Sequence, residues 1–378
     1  MQGLSNVNKT NASFLNNRLV SLDVLRGFDM FWIIGADDIV HGMAKMTKTS
    51  FWENFSFQLS HPQWNGFTMY DLIFPLFIFL AGVSTPFSIG KALEEGNSKE
   101  KLLIRVFQRG IILIILGIIY NNGLTLKPLE EIRFSSVLGR IGITYIFANI
   151  IYLYVKPRWF LFWFAGLLLS YYFLLKFFSA PNFEAGDLTM EGNFASYIDR
   201  LLLPGKLSLK IHDTVGFFNN IPAISNSLAG IMVGIFIKRN EFSGIKKTLY
   251  LAGLGLLSLL LAQLWNVDFP INKNLWSSSF VLQTVGLSLL LFSLFYYIID
   301  VLGYQKWSVF FRVIGVNAIL IYMSVKFIDW NFTARKFFEW TYQWVGDSWS
   351  MLMIPISILI IKWLFLRILY HYKIFLRI

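Results

Sequence analysis

The sequence reads as an all-α, polytopic transmembrane helical bundle with about ten spanning helices, and three observations carry that reading. Hydrophobic residues fill 56% of the 378 positions and charged residues only 15%, against about 25% charged in an ordinary soluble domain. The mean hydropathy is +0.56. The apolar residues also gather into runs of roughly 20, the length a helix needs to cross a hydrocarbon core of about 30 Å. So apolar a chain has too little polar surface to stay dispersed in water, which excludes a cytosolic enzyme and a disordered tail. The 38 Phe, 16 Tyr and 13 Trp argue against an all-polar binding scaffold. With no Cys, thiol nucleophiles, iron–sulfur clusters, thiolate zinc sites and a disulfide-stapled module are excluded together.

Residues 1–17 are polar, with Asn and Ser throughout and no apolar core of a signal peptide. They read as a cytoplasmic N-terminal segment, followed by a single transmembrane domain over 18–378. The first span, 22–40, is the most polar. Asp23, Arg26 and Asp29 lie three apart on one helix face, which predicts an Asp–Arg–Asp ion-pair cluster, and Asp37 and Asp38 sit at its far end. The next spans are 70–91, with Pro75 and Gly82 inside, 102–120 with Gly117, 136–155 with Arg140 just within its outer end, and 159–178. They are followed by 217–238 with Gly230 and Gly234, 247–265 with Gly253 and Gly255, 276–300, 309–328 with a solitary Asn317, and 351–369 with Lys362. The glycines suit close helix packing in lipid.

The net charge of +11 fits Lys and Arg gathered in cytoplasmic loops better than nucleic-acid binding. With both termini inside, the larger share of the 33 Lys and Arg falls on the cytoplasmic side, in shorter loops. Segments 41–69, 179–216 and 329–350 then face outward. Charged groups in spans are costly and mark cavities or partners. On the outer side the stretch Ser60-His61-Pro62-Gln63-Trp64-Asn65-Gly66-Phe67-Thr68, with Asp71 after it, puts an imidazole, an amide, an indole and a carboxylate together. His is the side chain best suited to proton transfer near neutrality, and His61 stands in a turn fixed by Pro62. Further polar groups are His212-Asp213, Arg140, Asn317 and the run Asn272-Lys273-Asn274-Leu275-Trp276-Ser277. This composition suits a sugar-like substrate, with Trp stacking on the ring and Asn, Asp and Lys bonding hydroxyls. Phosphate-loop, GxSxG, HExxH and dinucleotide fingerprints are missing, and the His-Asp neighbourhoods lack the clustered third ligand of a metal site.

Five stretches, in order, resemble the heparan-α-glucosaminide N-acetyltransferase family of transmembrane acyltransferases, in its bacterial form. They are Arg18-Leu19-Val20-Ser21-Leu22-Asp23-Val24-Leu25-Arg26-Gly27; His61 to Thr68 with Asp71-Leu72-Ile73-Phe74-Pro75; Val137-Leu138-Gly139-Arg140-Ile141-Gly142-Ile143-Thr144-Tyr145; Pro270 to Ser277; and Asn317-Ala318-Ile319-Leu320-Ile321-Tyr322. The resemblance implies transfer of an acetyl group from cytosolic acetyl-CoA to the amine of an amino sugar or glycan across the membrane, here the bacterial cytoplasmic membrane. The histidine of the family's H-x-x-W-N-G motif maps onto His61. A family Asn falls on Asp37, where a carboxylate would orient the ring or balance its charge. Where many relatives read D-P-E-G, this chain has Asp213-Thr214-Val215-Gly216, so the acidic position is Val215.

On this reading His61 and Asp37 are catalytic, His61 acting either as a base or as an acetyl carrier. The acceptor contacts expected are Trp64, Asn65, Asp71, Arg140, Asp213, Lys273, Asn274, Trp276 and Asn317, with Asn65 or Asn274 also a candidate oxyanion donor. Arg105, Arg109, Lys238 and Arg239 are the candidates for the phosphates of acetyl-CoA, with anchoring to anionic lipid headgroups as the alternative for each. Membrane lipids are partners in any case, a homodimer is left open, and no metal is called for. The rival reading is a transporter of a sugar or small anion, whose usual inverted repeat of broken helices is not evident.

Overall fold

The structure, a computed structural model, describes residues 19–125 and 127–376, with backbone alone at 342–348 and 350. The 1–17 segment, Arg18 and Arg377 lie outside the described residues. The α-helices in chain order are α1 (Val20–Phe31), α2 (Asp37–Thr47), α3 (Ser50–Gln58), α4 (Ile73–Glu94), α5 (Lys99–Asn122), α6 (Val137–Tyr154) and α7 (Phe160–Phe177). After them come α8 (Phe194–Leu202), α9 (Asn220–Lys238), α10 (Gly244–Asn266), α11 (Ser278–Tyr296), α12 (Val309–Gly315), α13 (Ala318–Ser324) and α14 (Trp330–His371). Among the described residues, eight helical stretches are long and apolar enough to cross a membrane: Met69–Glu94, Lys99–Asn122, Val137–Tyr154, Pro157–Phe177, Asn220–Lys238, Gly244–Asn266, Ser278–Val301 and Met351–His371. They answer eight of the ten expected spans, and the chain is an integral membrane protein.

The other two expected spans differ for physical reasons. The first is helical from Val20 to Thr47, but its charges keep it from being uniformly apolar, and a π-turn (Trp32–Ala36) interrupts it, with Gly35 at φ +129°. The 309–328 run is divided into α12 and α13. Segment 329–350, expected as an outer loop, is helical from Trp330 onward. A straight helix would put Trp330 and Phe365 about 50 Å apart, yet their rings stand 5.6 Å apart. The helical segment therefore doubles back between them.

The described residues group into two compact units. The first comprises, of the described residues, 19–61, 68–70 and 294–376. Here α1 crosses α12 at two glycines: a Cβ on Gly27 would overlap the Phe311 carbonyl, and one on Gly315 the Asp23 carbonyl. Within the π-turn the Ile34 carbonyl accepts from the buried Lys362 ammonium at 2.8 Å. That bond meets the rule that no backbone polar group stays unsatisfied at membrane depth. Of the expected Asp–Arg–Asp cluster, Asp23 and Arg26 pair at 3.6 Å. Asp29 is buried with Oδ2 lacking a hydrogen bond among the described residues.

The second unit holds residues 62–67 and 71–293. Its centre is the α4–α9 crossing, where Gly82 lies on the Ser227 carbonyl and Gly230 on the Phe79 carbonyl. Small residues let the two backbones meet, the usual route to helix association in lipid. Gly142 packs on the Gly110 carbonyl in the same way where α6 meets α5. Gly253 does not: nothing lies within 4 Å of its added Cβ. An apolar cluster of Ala148, Ile151, Phe160, Ile224, Leu228 and Ile231 ties α6, α7 and α9. At α6 the Ser136 hydroxyl caps the first turn by accepting from Gly139 N at 3.0 Å, which starts the helix just before Arg140.

Candidate active site

In the first unit the histidine turn follows α3. Three bonds fix it: Thr68 Oγ1 donates to the Ser60 carbonyl at 2.6 Å, Met69 N to Gln58 Oε1 at 3.2 Å, and His41 Nδ1 pairs with Ser56 Oγ at 2.6 Å. His61 itself is exposed. Its ring centroid is 5.1 Å from that of Tyr70, tilted by 51°, and the Tyr70 hydroxyl donates to Asp37 Oδ2 at 2.7 Å. Asp37 thus joins the histidine's surroundings through a tyrosine that sequence reasoning missed. No spacing signal marks it, since 33 residues separate the two partners. Asp38 instead lines a polar recess of about 550 Å³ with Lys326, Asp329, Asn331 and Lys362.

In the second unit the loop after the histidine is held by the 270–277 segment. Gly66 N donates to the Ile271 carbonyl at 2.9 Å, Asn272 Nδ2 to Asn65 Oδ1 at 2.9 Å, and Asn274 Nδ2 reaches the Gln63 carbonyl at 3.5 Å. Trp64 donates its indole N–H to the Leu188 carbonyl at 2.9 Å and meets the His212 ring edge-on at 5.1 Å. Asp71 is buried and paired with Lys273 at 3.3 Å; burial pulls the Lys273 ammonium below its usual range, and Asp71 opposes that pull.

Trp276 is completely buried at φ +53°, a left-handed conformation that a bulky residue holds only when its surroundings fix it. Its indole N–H donates to Asn226 Oδ1 at 3.0 Å, and the Arg140 guanidinium lies 4.3 Å over its ring, a cation–π contact strengthened by burial. The sequence-predicted Arg140, Asp213, Lys273, Asn274, Trp276, Trp64, Asn65 and Asp71 therefore fall in one unit.

Behind them lies a buried polar layer. Asp213 accepts Arg133 Nε at 2.9 Å and Nη2 at 2.8 Å, and the backbone N–H groups of Ser208 and Val215 at 2.9 Å each. Every oxygen of that carboxylate is thus engaged in pinning the 205–216 loop. His212 Nδ1 pairs with Ser196 Oγ at 2.7 Å; burial pulls the imidazole down to about 4. Asp199 accepts from Phe218 N at 2.9 Å, but burial outweighs that bond and pushes its carboxyl up to about 6. Arg140 Nε and Nη1, Asp199 Oδ2 and His212 Nε2 have no hydrogen-bond partner among the described residues. Arg133 and Asp199 were not singled out from the sequence.

Residues 18–261 match the family described as heparan-alpha-glucosaminide N-acetyltransferase, catalytic. The chain belongs to this family. Two relatives are similar over most of its length: the Homo sapiens heparan-alpha-glucosaminide N-acetyltransferase is 29% identical over 366 residues, covering 82% of this chain and 53% of the human protein. The Mus musculus protein of the same name is 29% identical over 379 residues, covering 86% and 55%. The chain spans about half the length of the curated relatives it matches.

The segment matched to the heparan-alpha-glucosaminide N-acetyltransferase family contains His61, Asp37, Arg140, Asp213 and all four candidate coenzyme residues; Lys273, Asn274, Trp276 and Asn317 lie past its end. The four coenzyme candidates have different surroundings. Lys238 is committed to Glu94 at 2.7 Å and the Pro86 carbonyl at 3.1 Å. Arg109 lies 4.7 Å over the Tyr145 ring. Arg105 and Arg239 are exposed. Asn317 spends both ends of its amide on the C-terminal segment, donating to the Ile374 carbonyl at 2.9 Å and accepting from Leu376 N at 3.0 Å.

Proposed function

We propose that the chain is a transmembrane acetyltransferase that takes the acetyl group of cytosolic acetyl-CoA and places it on the amine of an amino sugar or glycan on the extracytoplasmic face. The observation that carries this reading is the family match across 18–261, with His61 inside it in an intact H-x-x-W-N-G motif. Both termini are cytoplasmic, as the distribution of Lys and Arg supports, and the membrane is read as a bacterial cytoplasmic one from the resemblance to the family's bacterial form alone.

The phosphates of CoA cannot enter hydrocarbon, so they stay at the cytoplasmic surface. Arg105 and Arg239, exposed at the start of α5 and the end of α9, suit that contact, whereas Lys238 and Arg109 are better read as structural. His61 removes the proton of the acceptor amine as its nitrogen attacks the thioester carbon. The new C–N bond forms, the C–S bond breaks, and the departing thiolate takes the proton from the imidazolium. Trp64, Asn65 and the Asp71–Lys273 pair supply acceptor contacts, and Asn65 or Asn274 donates to the oxyanion. Arg140 and Trp276 hold the 270–277 loop, and Asn317 holds the C-terminal segment.

The test is reconstitution into liposomes with labelled acetyl-CoA on one side and glucosamine on the other. Labelled N-acetylglucosamine is expected on the sugar side. Counterflow of the free sugar with no acetylated product would replace this reading with transport.

A further inference from the structure

We propose that Tyr70 is the positioning residue for His61, and that Asp37 acts on the histidine only through it. This rests on the assignment of His61 as the catalytic base and deepens it. The geometry is contained in the first unit: an exposed imidazole, a tyrosine ring 5.1 Å away, and a carboxylate 2.7 Å from the tyrosine hydroxyl.

An exposed ring on a loop is free to choose among rotamers unless something packs against it. The Tyr70 ring does so here, as a tilted aromatic pair. A tyrosine alone would be a loose support, because its own ring turns about two torsions. Its hydroxyl is therefore tied at the far end to Asp37 in a hydrogen bond to an ionised acceptor, the strong kind. Asp37 in turn is fixed by its place in the first turn of α2, where the helix N-terminal dipole favours a carboxylate. Its other oxygen accepts from Asp38 N at 2.9 Å. The support thus runs from a helix terminus through a carboxylate and a phenol to the imidazole. Catalysis is sensitive to such positioning: a misplacement of about 1 Å costs about 100-fold in rate.

Two routes by which Asp37 acts are separated by a double-mutant cycle on purified protein. If Asp37 works through Tyr70, removing the hydroxyl (Tyr70→Phe) and removing the carboxylate (Asp37→Ala) break the same link. Each is expected to lower kcat by about 10-fold, with KM for acetyl-CoA and for the sugar within about 2-fold, and the double variant should be no slower than either single one. Tyr70→Leu, which removes the ring as well, should lose about 100-fold. Asp37→Asn keeps an acceptor for the phenol but not its charge, so its kcat should fall between wild type and Asp37→Ala, which separates loss of the link from loss of fold. Losses that multiply in the double variant would mean that Asp37 acts on the histidine independently, and wild-type kcat in Tyr70→Phe and Tyr70→Leu would dismiss Tyr70 altogether. His61→Ala is assayed beside them: full activity there rejects the catalytic assignment itself, while its inactivity together with additive losses rejects only the link.

Discussion

The buried pair His212 and Asp199 gives a stability prediction with opposite signs on its two members. Both side chains are completely buried in the loop layer of the second unit, outside the membrane-spanning stretches. Burial holds His212 at about 4 against an ordinary 6.5, so its contribution is intact above pH 6.5 and disappears as the pH falls to about 4. Burial holds Asp199 at about 6 against 3.8, so its contribution is present below about pH 4 and disappears as the pH rises through 6. At 1.36 kcal/mol per unit of pKa, each displacement is worth about 3 kcal/mol, and over the window from pH 4 to 6.5 the two nearly cancel. Asp199→Asn exposes the histidine alone: its unfolding free energy, from denaturant titration in detergent, should fall by about 3 kcal/mol from pH 6.5 to 4 relative to wild type. His212→Asn exposes the aspartate alone and should gain about the same amount over the same interval. Parallel pH profiles for both variants and wild type would refute the argument, because they would mean that neither group changes its protonation between the folded and unfolded chain in the way burial demands.

Three further outcomes follow from the same packing. Gly82→Val drives a branched side chain into the Ser227 carbonyl and should cost about 3 kcal/mol, seen as a loss of detergent-stable folded protein. Lys273→Met removes the ion-pair partner of the buried Asp71 carboxylate and should also cost about 3 kcal/mol; adding Asp71→Asn should restore much of it in the same thermal-denaturation assay. Arg105→Gln should raise KM for acetyl-CoA by about 3- to 10-fold at low salt, with the difference shrinking at high ionic strength as exposed charges are screened, measured by steady-state kinetics.

The spanning helices were legible because lipid imposes a simple rule: a run of apolar residues of sufficient length has nowhere else to go. The rule fails where helices are interrupted. In the 309–328 run the break coincides with Asn317, whose amide is spent on Ile374 and Leu376, partners that hydropathy cannot reveal. Segment 329–350 mixes Trp and Phe with Lys, Arg and Glu, which looks like a surface loop, yet Asp329 caps a helix there through Phe332 N at 2.9 Å. The polar groups of the second unit were found as residue types beside the membrane. Their division of labour was not, since Asp213 meets Arg133 across 80 positions and Trp276 meets Asn226 across 50. Tyr70 lay next to the noticed Asp71, but only the folded chain brings it to Asp37.

Acetyl transfer by His61→Ala protein tests the central claim most directly. With labelled acetyl-CoA and glucosamine, the variant should bind the coenzyme as tightly as wild type and melt at the same temperature while forming no acetylated sugar above background. Turnover at the wild-type rate would contradict the account.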